Sequence, residues 1–348
     1  MSRHPSRLVL LACFLFKTLT ALAADLAVPQ QYGTIQAAID AAQAGDTVLV
    51  APGSYFENLS IGKSLNLRSV GGAPSTVIDG GRIAPVLVAR GTGAENISVS
   101  GLTITNGFHG EALDAGGLHF DSVVAIVSDS VVRDNMGCIG TGISSVTSAM
   151  TIQRNRISDN LEDPACDGAD SGAIMMRVDG AGPSLIANNI VSGHRTGGRG
   201  AGIAAHFMNR VTIRGNLITG NEANPTAGGV GAGILVNIGS ADVSQNVVHN
   251  NAAEVGGGIA LFAVDNADRI TLFSNVIGQN QASLAGSGVY LVYVSPDGVK
   301  MTSNVVQGHS AAPLVYCSGG PFVVPSSNRV NNSGGPEFGA ACEPEPRH

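Results

Sequence analysis

Val211-Thr212-Ile213-Arg214-Gly215-Asn216-Leu217-Ile218-Thr219-Gly220-Asn221 is the stretch on which the fold turns. A short β-branched strand runs into Asn, two apolar residues, a polar pair and a second Asn. A Gly-rich bend and a Gly-Ile or Gly-Val step then open another strand. Met150 to Asn160, Ala241 to Asn251 and Ile270 to Asn280 are further copies. Aligning them puts Asn155, Asn189, Asn216, Asn246, Asn275, Asn304 and Asn328 in one column, at steps of 34, 27, 30, 29, 29 and 24 residues. A second column holds Asn135, Asn160, His194, Asn221, Asn251, Asn280 and His309. Several short strands per repeat, without helical periodicity or hairpin signals, exclude helical solenoids, leucine-rich repeats and propellers. The pattern predicts an all-β, single-domain, right-handed parallel β-helix of about nine rungs, stacked about 4.8 Å apart into a rod of roughly 40–45 Å.

Each column has a physical reason. An Asn at a bend tolerates left-handed backbone, and its amide can bond the Asn of the next rung. His194 stands in such a column and reads as a ladder substitute. Alternation along the strands after the Gly bends points Leu118, Ile143, Ile174, Ile203, Ile234, Ile259, Val289 and Leu314 into the core. Two residues further on, Phe120, Ser145, Met176, Ala205, Val236, Leu261, Leu291 and Tyr316 should join them.

Arg3 and Arg7, the apolar run Leu8 to Phe16 and the small-x-small site Ala21-Leu22-Ala23 read as a secretory signal over residues 1–23. Leu10-Leu11-Ala12-Cys13 has a lipobox look, but the apolar run continues past Cys13, which favours the later cleavage. The chain is therefore expected to be secreted, periplasmic or at the cell surface, with no transmembrane segment. Loss of the leader leaves 16 basic against 26 acidic residues, a net charge of −10. Such a surface repels nucleic acid and other polyanions at long range, so an anionic partner needs a local basic patch or a bridging cation. Four cysteines remain, an even number suited to two disulfides in an exported chain. Cys138 and Cys166 follow equivalent Asn residues in adjacent rungs and should pair. Cys317 is expected to pair with Cys342, holding a Pro- and Gly-rich tail that folds back.

Thr34 is suited to cap a helix over residues 34–44 with Gly45 as its stop, laying Ile35, Ala38, Ile39 and Ala42 over the first rung. The expected organisation is a cap and first rungs over 24–95, repeats over 96–332, and a terminal tail over 333–348.

The segment Tyr32-Gly33-Thr34-Ile35-Gln36-Ala37-Ala38-Ile39-Asp40, followed by Gly45-Asp46-Thr47-Val48, Pro52-Gly53-Ser54-Tyr55 and Glu57, resembles the opening of pectate-lyase-like β-helix proteins. That family spans polysaccharide lyases, pectin esterases, alginate epimerases and many members of unknown role, so the resemblance implies a scaffold and leaves the chemistry open. The Gly256-Gly257-Gly258-Ile259 turn also resembles repeats of polymorphic surface adhesins.

The resemblance implies a groove on one exposed strand face. The outward positions there are His119 and Asp121, Ser144 and Val146, Met175 and Arg177, Ala204 and His206, Leu235 and Asn237, and Ala260 and Phe262. Asp121, Arg177 and His206 are the candidate catalytic residues, with Asn237 and His119 as candidate substrate contacts. An Arg that stabilises a sugar carboxylate, beside a His that moves a proton, suits β-elimination or epimerisation of an acidic polysaccharide. The acidic insertion with Glu162, Asp163, Asp167 and Asp170 is a candidate Ca²⁺ site, since hard carboxylate oxygens suit that ion. Against an enzyme stand the absent Asp-Pro-His-Glu signature of alginate epimerases, the absent Asp set of polygalacturonases, and a strand face lacking the calcium-binding Asp residues of pectate lyases. The competing expectation is a non-catalytic surface β-helix that acts as an adhesin or interaction scaffold.

Overall fold

The structure is a computed structural model that describes residues 23–109, 115–166, 172–179, 182–224, 226, 228–263, 269–293, 298–308 and 310–346. The leader segment, Asp167, Asp170 and His309 lie outside the described residues. The chain coils as a right-handed parallel β-helix of about nine turns. Three parallel sheets run along the rod, of nineteen, seven and eleven strands. The largest forms two adjoining faces, because the strands Ile143–Gln153, Ile203–Arg214 and Ile234–Ser244 pass straight through the corner between them.

The core is a stack of like residues. Leu118, Ile143, Ile174, Ile203, Ile234, Ile259 and Val289 are register partners from rung to rung and are all 0% exposed. The expected column ended one residue too early. Val315 pairs with Val289 and Cys317 with Leu291, while Tyr316 lies on the opposite face against Tyr290. The last bend is one residue longer than the repeat implies, and a one-residue offset swaps the faces of a strand.

Both Asn columns are hydrogen-bonded ladders. Along the first, the backbone N–H and Nδ2 of Asn155, Asn189, Asn216, Asn246, Asn275 and Asn304 both donate to Oδ1 of the next Asn. Each Nδ2 also donates to a carbonyl of the rung before, as Asn246 does to Ile213. These side chains are buried, and the ladder satisfies them and the bend backbone together. In the second column His194 takes the place of Asn. Its Nδ1 accepts from the Asn160 N–H at 3.2 Å and its Nε2 donates to the Ile157 carbonyl at 3.0 Å.

The N-terminal helix is Ile35–Ala41, shorter than expected. Thr34 caps it by accepting from the Ala37 N–H, and the Glu57 carboxylate accepts from the N–H groups of Ile35 and Gln36. It stops at Ala42 because Asp46 draws the Gln43 N–H into a turn of its own. The tail does not fold back. Phe338–Pro344 adds one more parallel strand beside Val315–Val324. Cys138–Cys166 and Cys317–Cys342 are both bonded, with Cα separations of 5.6 and 5.2 Å. Because Cys317–Cys342 closes 25 residues, replacing both cysteines by Ala should lower unfolding free energy by about 3 kcal/mol. Chemical denaturation checks this, and an unchanged midpoint would show that strand pairing alone holds the last rung.

Candidate functional site

The strand positions expected to face solvent divide into two files with different fates. His119, Ser144, Met175, Ala204, Leu235 and Ala260 form the first, and each is at most 2% exposed. Their cover is the Gly-rich bend of each repeat, which curls back over the strand that follows it. Gly231 has φ +67°, and a Cβ there would come within 2.9 Å of the Leu235 Cβ and 3.2 Å of the Ala260 Cβ. Glycine is required on both counts. His119, expected as a substrate contact on an open face, is thus 2% exposed, and this placement corrects that expectation.

The second file stays open. Asp121, Val146, Arg177, His206 and Asn237 are register partners on successive rungs, so neighbouring members stand about 5 Å apart. Arg177 is exposed, Asn237 half-buried, and His206 only 2% exposed at the cleft floor. Asn237 Nδ2 donates to His206 Nδ1 at 3.1 Å, which leaves the proton of the neutral ring on Nε2. Asp121 accepts from its neighbour Ser122 and lies two rungs below Arg177, outside the cleft.

Arg177, His206 and Asn237 line a cleft of about 380 Å³ together with Arg199, Ile139, Met175 and Phe207. Arg199 reaches it from the bend after Arg195, and Ile139 is positioned by the adjacent Cys138–Cys166 bond, which packs with Met175 in one apolar cluster. Among the described residues no acidic side chain lines the cleft and no ion pair neutralises Arg177 or Arg199. Sequence alternation placed Met175 beside Arg177 on this face but did not bring Arg199, Ile139 or Phe207 to it. The alternation of strand residues carries no signal of what a bend places over them.

The corner that follows the open file is strained. Ser122, Thr147, Val178, Phe207 and Ile238 all adopt positive φ, between 50° and 60°. Thr147, Val178, Phe207 and Ile238 are the only β-branched or aromatic residues with positive φ among the described residues. Such residues cost about 1–3 kcal/mol each in that conformation.

The acidic insertion does not assemble a calcium site from its described part. Glu162 Oε2 accepts from Thr196 Oγ1 and the Gly197 N–H, and Asp163 Oδ1 accepts from the Ala165 N–H. Among the described residues no three metal-ligating side chains converge.

A parallel coil with repeating ladders and a side-wall cleft defines the β-helix class. Residues 87–266, and again 199–334, match the profile of the right handed beta helix region, and the chain belongs to this family. Pectin methylesterase PemA from Erwinia chrysanthemi is similar at 13% identity, over 73% of this chain and 89% of that one, with a TM-score of 0.42. No curated protein matches the chain.

Proposed function

We propose that this is an exported β-helix protein that binds an acidic polysaccharide in the cleft of Arg177, Arg199, His206 and Asn237. One observation carries the reading. Two exposed guanidiniums share a cleft with no acidic residue among its described lining, on a chain whose formal net charge is −7. A local cationic site on an acidic protein attracts carboxylates, and Arg forks pair them in two-point fashion. The two disulfides and the leader-like N-terminal sequence support export. The low exposure of His206 favours a binding role for the cleft floor over proton transfer.

Titration calorimetry with a panel of uronate oligosaccharides, with and without Ca²⁺, tests this. Arg177→Ala should weaken binding about tenfold or more, the effect of one charge-assisted contact. Following absorbance from new unsaturated ends in the same samples separates the roles. Signal lost in the variant would make the protein a lyase, and binding with a flat trace would make it a non-catalytic binder. A wild-type protein that binds none of the panel would sink the reading.

A further inference from the structure

Elsewhere along the rod, non-glycine positions with positive φ among the described residues carry Asn106, Asp129, Asp134, Asp159, Asn188, Gln245, Asn250 and Gln279, or else Ser and Arg, with the small Ala340 as the one apolar case. Asn and Asp tolerate left-handed backbone, and polar residues suit an exposed bend. Beside the cleft this rule is broken on three successive rungs. Val178 follows Arg177, Phe207 follows His206, and Ile238 follows Asn237. Val178 is 44% and Phe207 49% exposed, so neither gains its place by entering the core. These residues bear backbone strain and water contact at once, in the rungs that present the polar file. Strain of this kind persists where a function holds it.

The result is two columns side by side, one residue apart in each rung. Arg177, His206 and Asn237 form a charged and hydrogen-bonding column, and Val178, Phe207 and Ile238 form an apolar one. A pyranose carrying a carboxylate has the same division, with hydrogen-bonding groups at its edge and apolar C–H bonds across its face. The tyrosines further up the wall do not offer such a surface. Tyr290 and Tyr316 are stacked on each other at 5.5 Å with planes 8° apart. Phe207 differs, since the His206 ring beside it is tilted by 49° at 6.5 Å and does not cover it face to face.

We propose that Phe207 is the stacking platform of the cleft, holding the C–H face of a uronic acid ring while Arg177 takes its carboxylate. This rests on the acidic-polysaccharide reading above and narrows it to glycans that offer an unbroken apolar ring face.

The test is titration of wild type, Phe207→Asn, Phe207→Tyr and Arg177→Ala with one oligouronate, at low and at high salt, alongside thermal unfolding. Asn suits the left-handed corner, so Phe207→Asn should unfold at the same temperature as wild type or higher. It should bind about tenfold more weakly at both salt concentrations, because stacking is not screened. Phe207→Tyr should bind as wild type does. The deficit of Arg177→Ala should shrink at high salt. Undiminished binding by Phe207→Asn, with Arg177→Ala impaired, would overturn the platform and leave the acidic-glycan reading standing. A lowered unfolding temperature in Phe207→Asn would overturn it in favour of a structural role. Failure of the wild type to bind would remove both.

Discussion

Replacing Asn246 by Ala should lower the unfolding free energy by about 3–5 kcal/mol. Asn246 is 0% exposed at the middle of its ladder. Its Oδ1 accepts from both the N–H and the Nδ2 of Asn216, and its Nδ2 donates to Ile213 O and Asn275 Oδ1. Alanine leaves the buried Asn216 N–H without its acceptor, at about 1–3 kcal/mol, and takes one bond each from Asn216 Nδ2, the Ile213 carbonyl and Asn275 Oδ1, at about 0.5–1.5 kcal/mol apiece. Asn328 closes the same ladder and is only half-buried, accepting from Asn304 while water can reach it. Asn328→Ala should therefore cost distinctly less. Denaturant midpoints for the two variants decide the matter, and equal losses would mean that ladder position is irrelevant.

The second large effect is on acid stability. Burial is the main cause that pushes His194 down to about 4 from an ordinary 6.5, against the opposing pull of the carbonyls of Ile157 and Asn160. Between those values the unfolded chain binds a proton that the folded chain does not. Stability is therefore full above about pH 6.5, falls as pH drops through that window, and is lower by about 3 kcal/mol at pH 4. His194→Asn would restore the residue type that the column carries at Asn160 and Asn221, and it removes the titrating group. Its stability should be flatter than that of wild type between pH 6.5 and 4. Unfolding curves across this range measure the difference, and parallel pH profiles for the two proteins would rule His194 out as the source.

Much of the fold was legible because a parallel coil repeats its chemistry. Asn at one position of each rung announces a ladder, and the columns drawn from residue types alone are the columns that hydrogen-bond. The pairing Cys138–Cys166 followed the same logic, whereas Cys317–Cys342 was expected from a tail folding back and forms instead between two parallel strands. The adjacency of Arg177 and His206 was legible too, since it depends only on register. What lay outside that reading is what bends do. Strand alternation placed His119 outward, and the bend glycines then covered the file it belongs to. A one-residue lengthening near Pro313 moved Tyr316 across the sheet. Phe207 looked like any apolar residue in a strand, because positive φ leaves no mark on the residue type when the chain breaks its own preference.

The ladders also bear on how such a chain acquires its shape. Bonds along the principal Asn column join residues 24 to 34 positions apart, so each tie in it runs to the neighbouring rung. Ordering can thus spread from a seed to its neighbour, each added coil closing a loop of similar length. A segment emerging in sequence order from a ribosome or a translocation pore finds its template already in place behind it. The same locality makes the rod extensible, because a further repeat inserted between two coils meets the partners it needs without revision of the rest.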